Sequence, residues 1–157
     1  MAFSEDLAFG KAGERAAWLA LLESPKTRQV LDVRDDLYFQ ERDIDFLQLD
    51  IKNKVNKIEV KTDRKAHETG NIAFETMSNS NDGCLARSEA DYIYYYLDAT
   101  GEVIIINLPI LKGCLGNLKP EEIRMGDNAR GYLIKIQDLL DLKIATKRGT
   151  RHGNKMD

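Results

Sequence analysis

Residues 43–62 read DIDFLQLDIKNKVNKIEVKT, and the pattern of this stretch decides the fold. Residues 43–49 alternate charged and apolar side chains, which predicts a β-strand. The polar residues 52–56 predict a turn, and residues 57–62 alternate again, which predicts a second strand. Because consecutive strands joined by a short turn usually pair, we expect a hairpin.

This hairpin brings acidic and basic side chains together. Glu59 and Lys61 lie two positions apart, so they project from the same face of their strand. Asp45 lies on the preceding strand, and antiparallel pairing is expected to bring it beside Glu59. Asp43 and Asp50 compete for this acid position, since both lie near Asp45 in the sequence. Asp43 lies one step further out and Asp50 begins the turn, so we predict that Asp45 is the partner acid.

The predicted group of side chains is suited to holding a metal ion. Two neighbouring carboxylates repel each other, and a divalent cation is the simplest means of keeping both ionised. Asp45 and Glu59 are therefore candidate ligands for Mg²⁺ or Mn²⁺, with the backbone carbonyl of Val60 as a third. A metal-bound water can attack a phosphodiester in line. Lys61 is placed to orient or deprotonate that water, or to stabilise charge on the phosphorus.

These residues resemble those of the PD-(D/E)XK, or restriction-endonuclease-like, nucleases. IDFLQ, which contains Asp45, is similar to that family's acid on the second strand, and IEVKTD is similar to its E-V-K strand. Ile44 stands where the family's name has proline, a departure that many members share. The layout is nearest to small members such as archaeal-type Holliday junction resolvases and phage nucleases. The resemblance implies a central mixed sheet flanked by helices, Mg²⁺ as cofactor, and a functional glutamate on the first helix, for which Glu14 is the match.

The remaining sequence predicts helices and strands around the hairpin. A helix is predicted at residues 10–23, and Ser24-Pro25 ends it. Further strands are predicted at residues 29–33, 71–76, 92–97, 102–108 and 131–136, and short helices at 109–118 and 137–142. A leading helix followed by strands and later helices indicates the α/β class with a mixed sheet. Residues 1–146 are expected to form one domain, and the basic residues 147–157 a flexible tail.

Composition limits the classes of protein to consider. The 157 residues are 43% hydrophobic and 31% charged with a net charge of -3, which argues against coating nucleic acid by bulk charge. No apolar run is long enough for a membrane span, and the N-terminus lacks a signal-peptide pattern. Cys84 and Cys114 have no CxxC partner, which excludes a zinc finger. They favour a reducing, cytoplasmic location.

Several residues near the hairpin are candidate accessory groups. Arg64, Lys65 and His67 directly follow the second strand and are candidates for binding nucleic-acid phosphates, with a solvated loop as the alternative. Glu75 interrupts an apolar strand and is either an extra carboxylate at the cleft or the partner of a nearby basic residue. Glu14 also fits a simpler role as a helix glutamate that interacts favourably with the helix dipole.

A run of tyrosines marks one predicted strand. Tyr92, Tyr94, Tyr95 and Tyr96 can stack on bases, but tyrosines in a strand more often pack in the core. Junction resolvases act as dimers, so a homodimer with residues 92–108 at its interface is a candidate assembly.

The sequence therefore predicts a Mg²⁺-dependent endonuclease that acts on DNA, with RNA as the alternative substrate. No separate DNA-reading domain is evident, which favours branched or junction DNA over a specific sequence. A rival hypothesis is a catalytically inactive nuclease fold that serves as a nucleic-acid-binding or structural module. In a third, the E-V-K strand is a coincidence in an unrelated fold, and clustering of Asp45, Glu59 and Lys61 would distinguish it.

Overall fold

The computed structural model describes the backbone of residues 2–149 and the side chains of residues 4–149. In chain order the elements are α1 (Ala2–Glu23), β1 (Thr27–Asp32), α2 (Leu37–Gln40), β2 (Phe46–Asp50), β3 (Val55–Asp63), α3 (Ala66–Thr69), β4 (Asn71–Ser78), β5 (Asn81–Asp82), α4 (Cys84–Arg87), β6 (Tyr92–Leu97), β7 (Glu102–Asn107), α5 (Leu108–Leu118), β8 (Glu121–Arg124), β9 (Ala129–Lys135), α6 (Ile136–Asp141) and β10 (Ala145–Gly149).

The strands form two sheets. The large sheet has six strands in the order β1-β2-β3-β6-β7-β10, and the small sheet has four in the order β5-β4-β9-β8. Within the large sheet β3 and β6 are parallel and the other neighbours are antiparallel. The α/β class and the mixed sheet expected from the sequence are confirmed.

The predicted hairpin is present as β2 and β3. These strands pair antiparallel, with Phe46 opposite Ile58 and Leu49 opposite Val55. Ile58 is fully buried among residues of α1, so the apolar face of β3 is the face that the helix covers. Glu59 and the residues that alternate with it face the opposite side.

Helix α1 packs closely against the large sheet. Ala17 and Leu21 are fully buried in a cluster that includes Phe46. A Cβ atom on Gly13 would lie 1.7 Å from the Cγ2 atom of Thr62 on β3, so only glycine permits this approach. The helix begins at Ala2 rather than at the predicted residue 10. Residues 4–8 in the added part are exposed, so they lack the buried apolar face that predicts the rest of the helix.

The opposite face of the large sheet holds the main core. Ile93 and Tyr95 of β6 and Ile104 of β7 are buried there against Phe74 of the small sheet. Tyr94 and Tyr95 are each 5% exposed, so most of each side chain packs in the core. Both edges of β6 and of β7 are paired within the sheet, so these strands offer no free edge for a strand from a second copy, and the homodimer stays a prediction.

The structure contains elements that the sequence did not predict. Strand β5 and helix α4 lie between the strands predicted at residues 71–76 and 92–97, and β8 joins β9. Residues 147–149, assigned to the tail, lie in β10, where Lys147 pairs with Ile104 of β7. Residues 150–157 of that tail lie outside the described residues. Among the described residues, none of the helices combines the length and apolar character that a membrane crossing requires.

Candidate active site

The candidate site lies where β3 extends past the end of β2. At this end the last paired residues are Phe46 and Ile58, whereas β3 continues to Asp63. The backbone N–H of Asp45 donates to the carbonyl of Ile58 at 2.8 Å. The Asp45 carboxylate accepts a hydrogen bond from the N–H of Val60 at 2.7 Å. A carboxylate therefore takes the place of a strand partner beside the extended part of β3.

The surroundings of Asp45 disfavour its charged form. Burial raises the pKa of Asp45 to about 6, although the hydrogen bond from Val60 lowers it. The negative charges of Glu14 and Glu59 raise the pKa further, and the positive charge of Lys61 lowers it. Asp45 therefore lies within electrostatic range of every other predicted catalytic side chain.

Glu59 is a buried carboxylate with both oxygens engaged. Its side chain is 3% exposed, and the Nζ atom of Lys61 lies 2.8 Å from its Oε1 atom. The hydroxyl of Ser88 donates to its Oε2 atom at 2.6 Å. Buried charges persist in proteins when they are paired and hydrogen-bonded, and Glu59 satisfies both conditions.

Lys61 connects this buried carboxylate to solvent. Its side chain is 40% exposed, while its Nζ atom contacts the buried Glu59. Burial lowers the pKa of Lys61, but the charge of Glu59 and the hydrogen bond to it outweigh that effect, and the pKa lies above its ordinary value. Lys61 is therefore an ammonium ion at neutral pH.

The backbone of Val60 points toward Asp45. On the β6 side, Lys57 donates its N–H to the Asp91 carboxylate at 2.8 Å and accepts the Asp91 N–H at its carbonyl. Backbone groups of successive strand residues point to alternate edges, so those of Ile58 and Val60 point toward β2. The carbonyl of Val60 thus lies on the same edge of β3 as the carboxylate of Asp45, as a ligand would require.

The expected metal-ligand set fits in part. The part of the chain that the structure describes has no group of three or more His, Cys, Asp or Glu side chains placed to hold a metal ion. The predicted set is smaller, with the carboxylates of Asp45 and Glu59 and the carbonyl of Val60, all hard oxygen donors that suit Mg²⁺ or Mn²⁺. A cation would offset the unfavourable ionisation of Asp45. At Glu59 the cation would have to share the carboxylate with the Lys61 ammonium group or displace it.

Glu14 reaches the site from the α1 side of the sheet. Its carboxylate is paired with Arg34, which also binds Asp32 through its Nε and Nη2 atoms at 2.9 and 2.7 Å. The hydrogen bonds that Arg34 donates to Asp32 and its pairing with Glu14 raise the pKa of Arg34. Because its charge acts on Asp45, Glu14 belongs to the surroundings of the site, with Arg34 as its direct partner.

The two competing aspartates have other partners. Asp43 accepts two hydrogen bonds from Arg87, at 2.9 and 3.0 Å. Asp50 accepts backbone N–H groups from the turn that follows β2, including that of Lys52 at 2.8 Å. Of the three candidates, Asp45 is the one whose carboxylate accepts a backbone N–H group of β3.

The predicted phosphate-binding residues lie directly beyond the open end of β3. Arg64, Lys65 and His67 are all exposed. Arg64 lies 3.4 Å from the Asp6 carboxylate on α1, and His67 lies 3.7 Å from Glu68. These surface contacts leave the three side chains accessible, and their role in phosphate binding remains a prediction.

Glu75 lies on the small-sheet side of the site. Burial raises the pKa of the Cys84 thiol, and the charge of Glu75 adds to this effect, while Lys61 opposes it. Glu75 also contributes to the raised pKa of Arg87. Glu75 is thus a neighbour of Cys84, which is itself a neighbour of Lys61. Both interpretations made from the sequence remain open.

Two contributors were absent from the sequence-based prediction. Ser88 lies in the connection before β6, and parallel pairing of β6 with β3 brings it to Glu59. Lys112 donates to the carbonyl of Ser88 at 3.2 Å and extends the positive charge around the site. No local sequence pattern identifies either residue, because only the parallel pairing of β3 with β6 brings them to the site.

Comparisons with protein-family models, with curated proteins and with solved structures give no match to this chain.

Proposed function

We propose that this chain is a divalent-metal-dependent endonuclease that hydrolyses phosphodiester bonds in DNA, with branched or junction DNA as the preferred substrate. The observation that supports this most is the meeting of Asp45, Glu59 and Lys61 at the extended end of β3. The mixed sheet flanked by helices agrees with the fold that a resemblance to PD-(D/E)XK nucleases implies.

Each residue has a distinct role in this proposal. Asp45, Glu59 and the carbonyl of Val60 would hold Mg²⁺ or Mn²⁺. When bound, the metal supplies an activated water and a positive charge for the phosphate oxygens. The Val60 N–H fixes the orientation of the Asp45 carboxylate, and Ser88 fixes that of Glu59. The site therefore keeps its oxygen ligands in place before any substrate arrives.

The positive charge of Lys61 argues against one of its three candidate roles, deprotonation of the attacking water. A lysine whose pKa lies above its ordinary value retains its proton at neutral pH, so it is a poor general base. We infer that Lys61 donates a hydrogen bond to the attacking water or to a phosphate oxygen and stabilises the charge that develops on the phosphorus. The Lys61 side chain is 40% exposed, which supports its approach to a bound phosphate.

The test is cleavage of supercoiled plasmid, linear duplex and four-way junction DNA with and without Mg²⁺. Lys61→Met and Asp45→Asn are expected to lower the rate at least about a hundredfold, in the range for lost charge stabilisation. Lys57→Met is the matched control, because Lys57, like Lys61, lies on β3 two positions from Glu59 and on the same face of the strand. An equal loss in the Lys57 variant, or no metal-dependent cutting by the folded wild type, would contradict the proposal.

One observation favours a second candidate function, a nuclease fold that binds DNA without cutting it. Both oxygens of Glu59 are held by Lys61 and Ser88, an arrangement that is complete without a metal. This candidate predicts binding to junction DNA that is insensitive to Mg²⁺ and no cleavage. Calorimetric titration with Mg²⁺ separates the two, since only the first predicts saturable binding that is lost in Asp45→Asn.

A further inference from the structure

A second cleft lies on the α1 face of the large sheet, away from the candidate active site. Helix α1 ends at Glu23 and leaves the next part of this face uncovered. The resulting cleft measures about 500 Å³, which is within the range of pockets that bind small molecules. Its lining shares no residue with the group formed by Asp45, Glu59 and Lys61.

The rim of the cleft is positively charged. Lys26, Lys52, Lys54 and Arg148 line it, against a single acid, Asp50. The Asp50 carboxylate already accepts hydrogen bonds from the backbone of its own turn. The three lysines are exposed, so their ammonium groups can approach a bound anion. The rim therefore favours a ligand that carries negative charge.

A buried acceptor in the wall of the cleft has no partner. Asn56 is 6% exposed, and its Nδ2 atom donates to Gln48 Oε1 at 3.1 Å and to Asp50 Oδ2 at 3.4 Å. Because the Asp50 carboxylate can only accept, the amide orientation of Asn56 is determined. Its Oδ1 atom has no hydrogen-bond partner among the described residues. The atom itself is fully buried, so a ligand in the cleft does not contact it, and Asn56 contributes to the shape of the wall rather than a hydrogen bond.

The floor of the cleft is apolar and partly aromatic. It is formed by Tyr92 and Tyr94 of β6 and Ile105 of β7. Arg148 lies near this floor, since its charge lowers the pKa of Tyr94 against the larger raising effect of burial. Aromatic side chains bind flat, apolar ring systems such as nucleobases.

We propose that this cleft binds a nucleotide unit, with its phosphate at the lysine rim and its base on the tyrosine floor. The unit is either a free mononucleotide or one residue of a single-stranded nucleic acid, which present the same chemistry. The inference does not depend on the proposed nuclease activity, because the cleft and the active site are built from different residues.

The test is calorimetric titration of the whole chain, without divalent metal, with AMP, inorganic phosphate and a six-nucleotide single strand of DNA. AMP is expected to bind saturably, and phosphate to compete at least about tenfold more weakly because it lacks the base. Lys52→Gln combined with Lys54→Gln is expected to weaken AMP about tenfold. Lys11→Gln combined with Lys143→Gln removes the same charge elsewhere and is expected to leave binding within about twofold.

A second variant tests the floor of the cleft. Tyr92→Ala is expected to weaken AMP about tenfold and to leave phosphate unchanged, with a thermal melt to confirm that the variant is folded. Tighter binding of the oligonucleotide than of AMP identifies a single strand as the ligand, and equal binding identifies a free nucleotide. The proposal is overturned if neither binds saturably, if phosphate competes as well as AMP, or if the Lys11 and Lys143 control weakens AMP equally.

Discussion

Replacing Asp45 by asparagine is expected to stabilise the metal-free protein at pH 8, although it removes a proposed metal ligand. Asparagine retains a side-chain oxygen that can accept the 2.7 Å hydrogen bond from the N–H of Val60. It carries no charge, so it avoids burial of a carboxylate near Glu14 and Glu59. The substitution therefore keeps the favourable contact of Asp45 and removes the unfavourable one.

The magnitude follows from the pKa of Asp45. Folding raises this pKa from 3.8 to about 6, so the folded state binds the proton more tightly than the unfolded state. The cost of ionising Asp45 is absent well below pH 3.8, grows between pH 3.8 and about 6, and is complete above that. A shift of roughly two pKa units corresponds to about 3 kcal/mol at pH 8. For a domain of this size, that gain raises the melting temperature by about 6–12 °C.

The assay is urea denaturation of wild type and Asp45→Asn in EDTA, at pH 8 and at pH 4. The difference between the two proteins should be near 3 kcal/mol at pH 8 and below about 1 kcal/mol at pH 4. Asp43→Asn is the matched control, since it removes an exposed ion pair with Arg87 and is expected to cost at most about 1 kcal/mol. An Asp45 variant that is less stable than wild type at pH 8, or equally stabilised at both pH values, would refute this reasoning.

Three further outcomes are expected. At sub-saturating Mg²⁺, initial cleavage rates should fall about tenfold per pH unit below about pH 6, because protonated Asp45 cannot bind a metal, and a flat profile would exclude this role. Ser88→Ala should lower the free energy of unfolding by about 1.5–3 kcal/mol in urea, since buried Glu59 loses a donor; an unchanged midpoint would show that the 2.6 Å contact is unimportant. Gly13→Ala should cost about 1–3 kcal/mol through its clash with Thr62, and adding Thr62→Ser should restore most of it because the Cγ2 atom is gone; additive losses would argue against this contact.

The hairpin could be predicted from the sequence because its signal is local. Alternation along residues 43–62 fixes which side chains share a face, and the short turn fixes which strands pair. The pairing of Phe46 with Ile58 then places Asp45 beside the extended part of β3. This part of the candidate site follows from periodicity alone.

The surroundings of Glu59 could not be predicted in the same way. Ser88 reaches Glu59 only because β6 pairs parallel with β3, and the crossover between these strands contains two short helices and two strands. Parallel partners separated by a long connection leave no local pattern. The pairing of Glu14 with Arg34 depends likewise on how α1 lies across the sheet.

The last strand could not be predicted from composition. The basic composition of residues 147–157 predicts a flexible tail, yet Lys147 and Arg148 lie in β10. Lys147 lies 3.1 Å from Glu102 of β7, and Arg148 donates to the carbonyl of Ala20 in α1 at 3.4 Å. Tertiary partners of this kind keep charged residues in a strand against the expectation from composition.

The order of strands along the chain has a consequence for folding. The chain enters the large sheet with β1–β3, leaves it for β4 and β5, returns for β6 and β7, leaves again for β8 and β9, and returns for β10. Neither sheet can be completed until most of the polypeptide has been synthesised, since β4 pairs with β9 and β7 pairs with β10. Such distant pairings slow folding. Truncation before β9 would leave β4 without its longest partner, so we expect shortened versions to aggregate rather than to yield an isolated nuclease core.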